Sequence, residues 1–338
     1  MAAWVAYLGA DRPRGSVDLV VDGEFVASDV LDGGDAIEVD LQTGATNFRP
    51  GSAHTTIFGE LPAGQKLVEI WLPHNESLEL IALRTDAPVI PVELARPVWT
   101  HHGSSISQGS NASTPTQSWP AVSARLGGVA LRNLVFGGSA LVDPFIARVI
   151  RDTPADLISV KLGINVVNLD SMRLRAFVPA VHGFLDTIRD GHPSVPLVLI
   201  SPIFCGIHED TPGPGAVDLD TLGTGRVRFI AAGRSDDQAQ GRLTLRVIRD
   251  ALASLVERRS GDPNLHYLDG TALYGERDTA EHPLSDALHP DTATHQVIGE
   301  RFAKYAFAPA GLFAAHRPLA RPSPRDELRS VATDGRNG

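Results

Sequence analysis

His102-Gly103-Ser104-Ser105-Ile106-Ser107-Gln108-Gly109 is the stretch around which the rest of the chain is organised. It follows the apolar run Val98-Trp99-Thr100 and precedes Trp119-Pro120-Ala121-Val122 and Leu126-Gly127-Gly128. That pattern predicts a strand, a tight turn of small residues and the approach to a helix. Ligands of open α/β sheets bind outside the carboxyl ends of the strands, where a serine in such a turn presents its hydroxyl. Ser105 is therefore the candidate nucleophile. Gly and Ser also crowd turns for conformational reasons alone, so the stretch takes its chemical meaning from the remainder of the chain.

The last third supplies that meaning. Asp286-Ala287-Leu288-His289-Pro290 places a carboxylate three residues before a histidine, ahead of an amphipathic helix predicted over about 292–307. At that spacing an Asp can hold one ring nitrogen of the imidazole while the other faces a serine hydroxyl. Between the two ends, Gly137-Gly138 follows one apolar strand and Gly163-Ile164-Asn165 follows another. Four signals thus fall in order at predicted strand ends.

Taken together, these blocks resemble the SGNH, or GDSL-type, esterase and acylhydrolase superfamily. Its pattern is Gly-Asp-Ser near the first strand, a Gly after the second, Gly-x-Asn after the third and Asp-x-x-His near the end. The matching residues are Gly103-Ser104-Ser105, Gly138, Gly163-Ile164-Asn165 and Asp286-Ala287-Leu288-His289, and the resemblance spans about 98–310. It implies a flavodoxin-like, three-layer α/β/α domain with a five-stranded parallel sheet. It also implies a triad of Ser105, Asp286 and His289, and an oxyanion hole built from the backbone N–H groups of Ser105 and Gly138 with the side-chain amide of Asn165. The reaction it implies is cleavage of a carboxylic ester through an acyl-enzyme, with no cofactor. Ser104 stands where the family usually has Asp, and Val166 where an Asp often follows the Asn. Neither is a triad or oxyanion position, so these departures bear on loop geometry and substrate range rather than on reaction type.

The rhythm of the chain agrees with that fold. Strands are predicted at 129–136, 157–162, 196–200 and 265–268, and Asp143-Pro144 opens a helix with Asp at the N-cap and Pro at N1. Phe177, Val181, Phe184, Leu185 and Ile188 share one helical face, as do Leu245, Ile248, Leu252, Leu255 and Val256. An insertion rich in Gly, Asp and Pro, about 206–241, leaves the carboxyl end of the fourth strand, where it can wall or cover a substrate pocket; a disordered excursion is the other reading.

Residues 1–95 read differently. Val17-Asp18-Leu19-Val20-Val21 and Phe25-Val26 flank the hairpin signal Asp22-Gly23, and short alternating runs follow at 35–41, 68–72 and 78–83. They predict an antiparallel β-sandwich, similar to the jelly-roll domain that precedes the hydrolase domain in some carbohydrate esterases. Trp4, Tyr7, Phe48, Phe58 and Trp71 offer either a sugar platform or core. Arg96-Pro97 marks the expected boundary of a hydrolase domain over 96–315, and the Pro- and Arg-rich stretch 316–338 reads as a flexible tail.

Composition bounds the partners. A net charge of −10 leaves no basic patch for nucleic acid. No stretch approaches the ~18–20 apolar residues of a membrane span, and the N-terminus lacks a positive n-region, so a cytoplasmic location is expected. The single cysteine, Cys205, reads as a buried structural thiol. His101 and His102, adjacent on a strand, face opposite sides and cannot chelate one ion together. His208-Glu209-Asp210 reads as solvated loop rather than a metal site, and His295 as a solvated or capping residue; no metal is expected. The sequence thus predicts a serine hydrolase acting on a small-molecule or carbohydrate ester. Carbohydrate O-deacetylation is the alternative within that class, and a binding protein on an inactive hydrolase scaffold is the alternative outside it.

Overall fold

Among the described residues, seven strands come first: β1 (Ala2–Leu8), β2 (Ser16–Val21), β3 (Glu24–Val30), β4 (Asp35–Asp40), β5 (Thr46–Arg49), β6 (Val68–Trp71) and β7 (Ser77–Leu78). The computed structural model describes residues 2–8, 12–40, 43–92 and 96–314, so the expected tail at 316–338 lies outside the described residues. Asp22 and Gly23 both adopt positive φ, the geometry a two-residue hairpin needs, and they turn β2 into β3. The strands form two sheets, β5-β4-β1-β7 and β3-β2-β6. Four pairings are antiparallel. The fifth, β1 with β4, is parallel, because the chain crosses to the other sheet for the β2–β3 hairpin and returns in its original direction. Of the run predicted at 78–83, Leu78 alone belongs to a strand among the described residues, as the end of β7. Beyond it, Leu80, Ile81, Leu83 and Ile90 are exposed, in a segment whose Pro88 and Pro91 have no N–H to give a ladder. Among the aromatics named above, Phe58 packs on Val17 and Leu31 while Phe48 is exposed.

The second part alternates strand and helix: β8 (Val98–His102), α1 (Ser105–Gln108), α2 (Trp119–Gly127), β9 (Ala130–Asn133), α3 (Pro144–Asp152), β10 (Leu157–Lys161), α4 (Ile164–Asn168), α5 (Leu174–Gly191), β11 (Leu197–Ile200), β12 (Gly215–Val217), β13 (Phe229–Ala231), α6 (Leu245–Arg258), β14 (Leu265–Leu268) and α7 (Thr292–Phe307). Five of these strands form one sheet in the order β9-β8-β10-β11-β14, every neighbour parallel. β10 and β11 are buried along their whole length, as near-continuous apolar strands are when helices cover both faces. On one face α2 and α7 pack Trp119, Phe302 and Phe307 around Trp99. On the other, α3, α5 and α6 contribute Ile150, Phe177, Phe184, Ile188, Ile248 and Leu252. The chain therefore carries a three-layer α/β/α domain of the flavodoxin-like order, preceded by a smaller β region. Its sheet order reverses between β8 and β10, the kind of switch point outside whose carboxyl ends ligands of open α/β sheets bind. Among the described residues, no helix is long and apolar enough to cross a membrane.

Asp18 ties the two parts together. It is fully buried on β2, accepts from Ser28 Oγ at 2.6 Å, and reaches across to accept from the N–H of Thr116 at 3.1 Å and its Oγ1 at 2.6 Å. Burying a carboxylate is tolerable only when its lone pairs are satisfied, and here hydroxyls and an amide do so. Asp18→Ala should strand the Thr116 donors and cost about 2–3 kcal/mol of stability in urea unfolding followed by tryptophan fluorescence. A loss below about 0.5 kcal/mol would show that the carboxylate does not hold this junction.

Candidate active site

Ser105 stands at the start of α1, directly after β8. Ser104 leaves the strand in an extended conformation, and its carbonyl accepts from the N–H groups of Ser107 and Gln108, which turns the chain at once. Gly103 is required by close approach: a Cβ there would lie 2.4 Å from Ser107 Oγ. Beneath the turn runs a buried chain of hydrogen bonds. Trp99 Nε1 donates to Ser159 Oγ at 2.8 Å, Ser159 Oγ lies 2.7 Å from His101 Nδ1, and His101 Nε2 lies 2.9 Å from Ser107 Oγ. Burial drives the His101 imidazole well below its ordinary range. A neutral His101 that accepts from Ser159 and donates to Ser107 gives both of its ring nitrogens a partner. His102 faces the opposite side, between the rings of Phe136 and Phe184.

The structure brings Asp286 and His289 to Ser105. His289 Nε2 is 2.9 Å from Ser105 Oγ, and His289 Nδ1 is 2.8 Å from Asp286 Oδ2. A carboxylate only accepts, so Nδ1 carries the proton and Nε2 is left to accept from the serine hydroxyl. The other oxygen of Asp286 accepts from the N–H groups of Leu288 at 2.9 Å and His289 at 2.6 Å. Burial raises the Asp286 carboxyl, but the bonds from His289 and the two backbone donors outweigh it and hold the group below its ordinary value. These bonds also stabilise Ala287 at φ 68, a left-handed conformation that costs an alanine roughly 1–2 kcal/mol.

Gly138 and Asn165 follow β9 and β10, the two strands that flank β8. Gly138 follows β9 at φ 75, and a side chain there would point into open space. Gly163, after β10, holds φ 121 where any Cβ would strike Ile248 at 2.6 Å, and it swings Asn165 inward. Asn165 is buried and its Oδ1 accepts from the N–H of Ala140 at 3.1 Å, which leaves its Nδ2 hydrogens for another acceptor.

Three features escape a reading of the sequence. Asn111 Nδ2 donates to Asp286 Oδ2 at 3.1 Å. Phe229, within the 206–241 insertion, sets its ring edge-on to His289 at 5.6 Å, and its N–H donates to the carbonyl of Asp286 at 2.8 Å. The third is the Ser159–His101–Ser107 chain. Each joins segments far apart in sequence, and an aromatic or an amide in a polar loop gives no periodic signal.

The remaining candidates resolve by contact. His295 is not solvated: it is fully buried, accepts from the N–H of Trp119 at 3.3 Å, donates to the carbonyl of Ser110 at 3.0 Å, and burial pushes it down to about 4. Its helix turns it inward against α2, which position in the chain alone does not reveal. His208 and Glu209 are buried and not solvated, while Asp210 is exposed; His208 bonds to the carbonyl of Thr211, Glu209 pairs with Arg249, and Asp210 pairs with Arg246, so these three side chains are engaged separately. Cys205 is buried, its thiol donates to the carbonyl of Ala287 at 3.3 Å, and burial pushes it up to about 12. The insertion is ordered around the β12–β13 pair and pinned by Arg242 to Asp170 and Asp237.

The fold is shared with solved structures. The chain is 28% identical to the salicylyl-acyltransferase SsfX3 of a tetracycline biosynthetic pathway, covering 89% of this chain and 75% of that one with a TM-score of 0.61. A candidate GDSL-like lipase from Bacteroides ovatus is 20% identical, covering 90% and 76% with a TM-score of 0.59. An active-site mutant of a family two carbohydrate esterase from Clostridium thermocellum is 14% identical, covering 87% and 85% with a TM-score of 0.56; at these two identities the likeness is one of fold. No curated protein matches the chain in sequence. A model of the GDSL-like lipase/acylhydrolase family matches residues 102–297, from the strand that delivers Ser105 into the helix that follows His289, and the chain belongs to that family.

Proposed function

We propose that this chain is a serine hydrolase that cleaves a carboxylic ester through an acyl-enzyme on Ser105, with His289 as general base and acid and Asp286 as its partner. The observation that carries the reading is the 2.9 Å contact of Ser105 Oγ with a ring nitrogen whose tautomer Asp286 sets. His289 takes the proton as Ser105 Oγ attacks the ester carbonyl, then returns it to the departing alkoxide. A water deprotonated by the same nitrogen attacks the acyl-enzyme and releases the acid. The N–H groups of Ser105 and Gly138 and the amide of Asn165 stabilise the oxyanion of each tetrahedral intermediate. Phe229 walls the acyl or alcohol side of the pocket beside His289.

A second reading keeps the acyl-enzyme and changes its acceptor. The structural neighbour at 28% identity is an acyltransferase, and an alcohol seated where water would attack turns the same chemistry into acyl transfer. Product analysis with a p-nitrophenyl ester and an added alcohol separates the two: free acid alone supports hydrolysis, whereas an ester of the added alcohol in excess of its solution background supports transfer. O-deacetylation of a sugar is the hydrolytic case with an acetyl group, and a preference for acetate across an acetate-to-octanoate series would point to it.

An active-site fluorophosphonate should label the wild type and leave Ser105→Ala unlabelled; equal labelling of both would remove Ser105 as nucleophile. Asn165→Ala should lower kcat by roughly 10²–10³ at nearly constant KM, because the donor it removes matters chiefly in the transition state. Asp286→Asn should cost up to about 10⁴ in kcat by leaving His289 in the wrong tautomer. Phe229→Ala should shift chain-length preference across the ester series toward bulkier acyl groups while fluorophosphonate labelling of Ser105 persists. An unchanged preference would place the selectivity elsewhere.

A further inference from the structure

Asn111 lies three residues beyond the end of α1, in a left-handed conformation of φ 67 that Asn tolerates better than most residues. The segment around it is fastened to the elements that carry His289. Ser110 accepts from His295 through its carbonyl, and the N–H and hydroxyl of Ser113 meet Thr292 Oγ1 at 2.9 and 2.7 Å. Asn111 is thereby held against the carboxylate of Asp286.

A carboxylate offers about four lone-pair sites, and all four are taken here. Oδ1 receives the two backbone N–H groups, and Oδ2 receives His289 Nδ1 and Asn111 Nδ2. Rotation of the carboxylate about Cβ–Cγ would carry both oxygens out of place together, and the two bonds to Oδ1 resist it from one side. Asn111 resists it from the other, at the oxygen that faces the imidazole. We infer that Asn111 is a positioning residue: its amide fixes the plane of the Asp286 carboxylate and, through it, the orientation of the His289 ring toward Ser105. This inference rests on the proposed roles of Ser105, Asp286 and His289.

Two titratable groups interact electrostatically with this pair, His295 with His289 and Cys205 with Asp286, and burial moves both away from the working range. Burial pushes His295 down to about 4 and the Cys205 thiol up to about 12. Asp291 caps α7 and is held below its ordinary value, since its bonds from Thr294 outweigh the raising effect of burial. A charge introduced at position 111 is therefore reported through His289.

Two substitutions read the role without straining the backbone. Asn111→Gly deletes the amide where Gly accepts the left-handed φ, and should lower kcat about tenfold with KM within about twofold and the melting temperature nearly unchanged. Asn111→Asp keeps the size and replaces the donor with a negative charge. It should move the acid limb of kcat/KM toward higher pH by roughly half to one unit, because the added charge favours the imidazolium. Wild-type kcat in Asn111→Gly, or an unmoved limb in Asn111→Asp, would overturn the inference. Fluorophosphonate labelling of wild type and Ser105→Ala in parallel keeps the two claims apart. If Ser105→Ala is labelled as fully as the wild type, the underlying reading has failed. If Ser105→Ala is unlabelled while both Asn111 variants behave as wild type, only the role of Asn111 has failed.

Discussion

The hydrogen bond between Ser105 Oγ and His289 Nε2 joins residues 184 positions apart, and the rest of the architecture makes that bond possible. A closure of that length carries an entropic cost no single contact of about 1 kcal/mol can offset. The sheet meets it in advance. β8, β9, β10 and β14 all point the same way, so the chain emerges four times at one rim, carrying Ser105, Gly138, Asn165 and finally Asp286 and His289. Burial of β10 and β11 on both faces supplies the driving force, and the site inherits its geometry from a core that it does not itself stabilise.

Local backbone constraints then refine what the sheet supplies. Gly103, Gly138 and Gly163 sit at three of the strand ends, where a Cβ would collide or a positive φ is required. In the loop that leads into α7 the chain uses Ala287 instead, and the Asp286 carboxylate bonded to His289 also bonds the N–H groups that follow Ala287. One side chain thus supports an unfavourable turn and sets a tautomer. Strain of this kind persists where the surroundings over-determine the conformation.

Legibility from sequence followed locality. The five parallel strands, the helix faces on α5 and α6, the N-cap and proline that open α3, and the blocks around Ser105, Gly138, Asn165 and His289 were readable because each is a contiguous pattern or a strand-end turn. The return of β4 parallel to β1 was not, because hydrophobic alternation records which face of a strand is buried and not the direction of its neighbour. His295 was misplaced for a related reason: its burial depends on α2 lying against α7, and the residues it bonds are 176 and 185 positions away. Asn111 and Phe229 belong to the same class, since their meaning lies in the loop they face.

The β region reaches the turn that carries Ser105 as well as the protein's periphery. Gln108, the last residue of α1, donates through Nε2 to the carbonyl of His74 at 3.0 Å, while its Oε1 packs where a side chain on Gly137 would fall. One residue further, a Cβ on Gly109 would meet the His74 ring at 3.0 Å and Ser118 at 2.8 Å. The turn that ends α1 is therefore clasped between the 73–75 loop and the start of α2, with Asp18 binding Thr116 alongside. A helix of four residues has little stability of its own, since nucleating a helix fixes several residues for one hydrogen bond. Its order must come from what packs around it. Here a large part of that support comes from the β region, so the position of Ser105 depends on both parts of the chain and not on the α/β sheet alone.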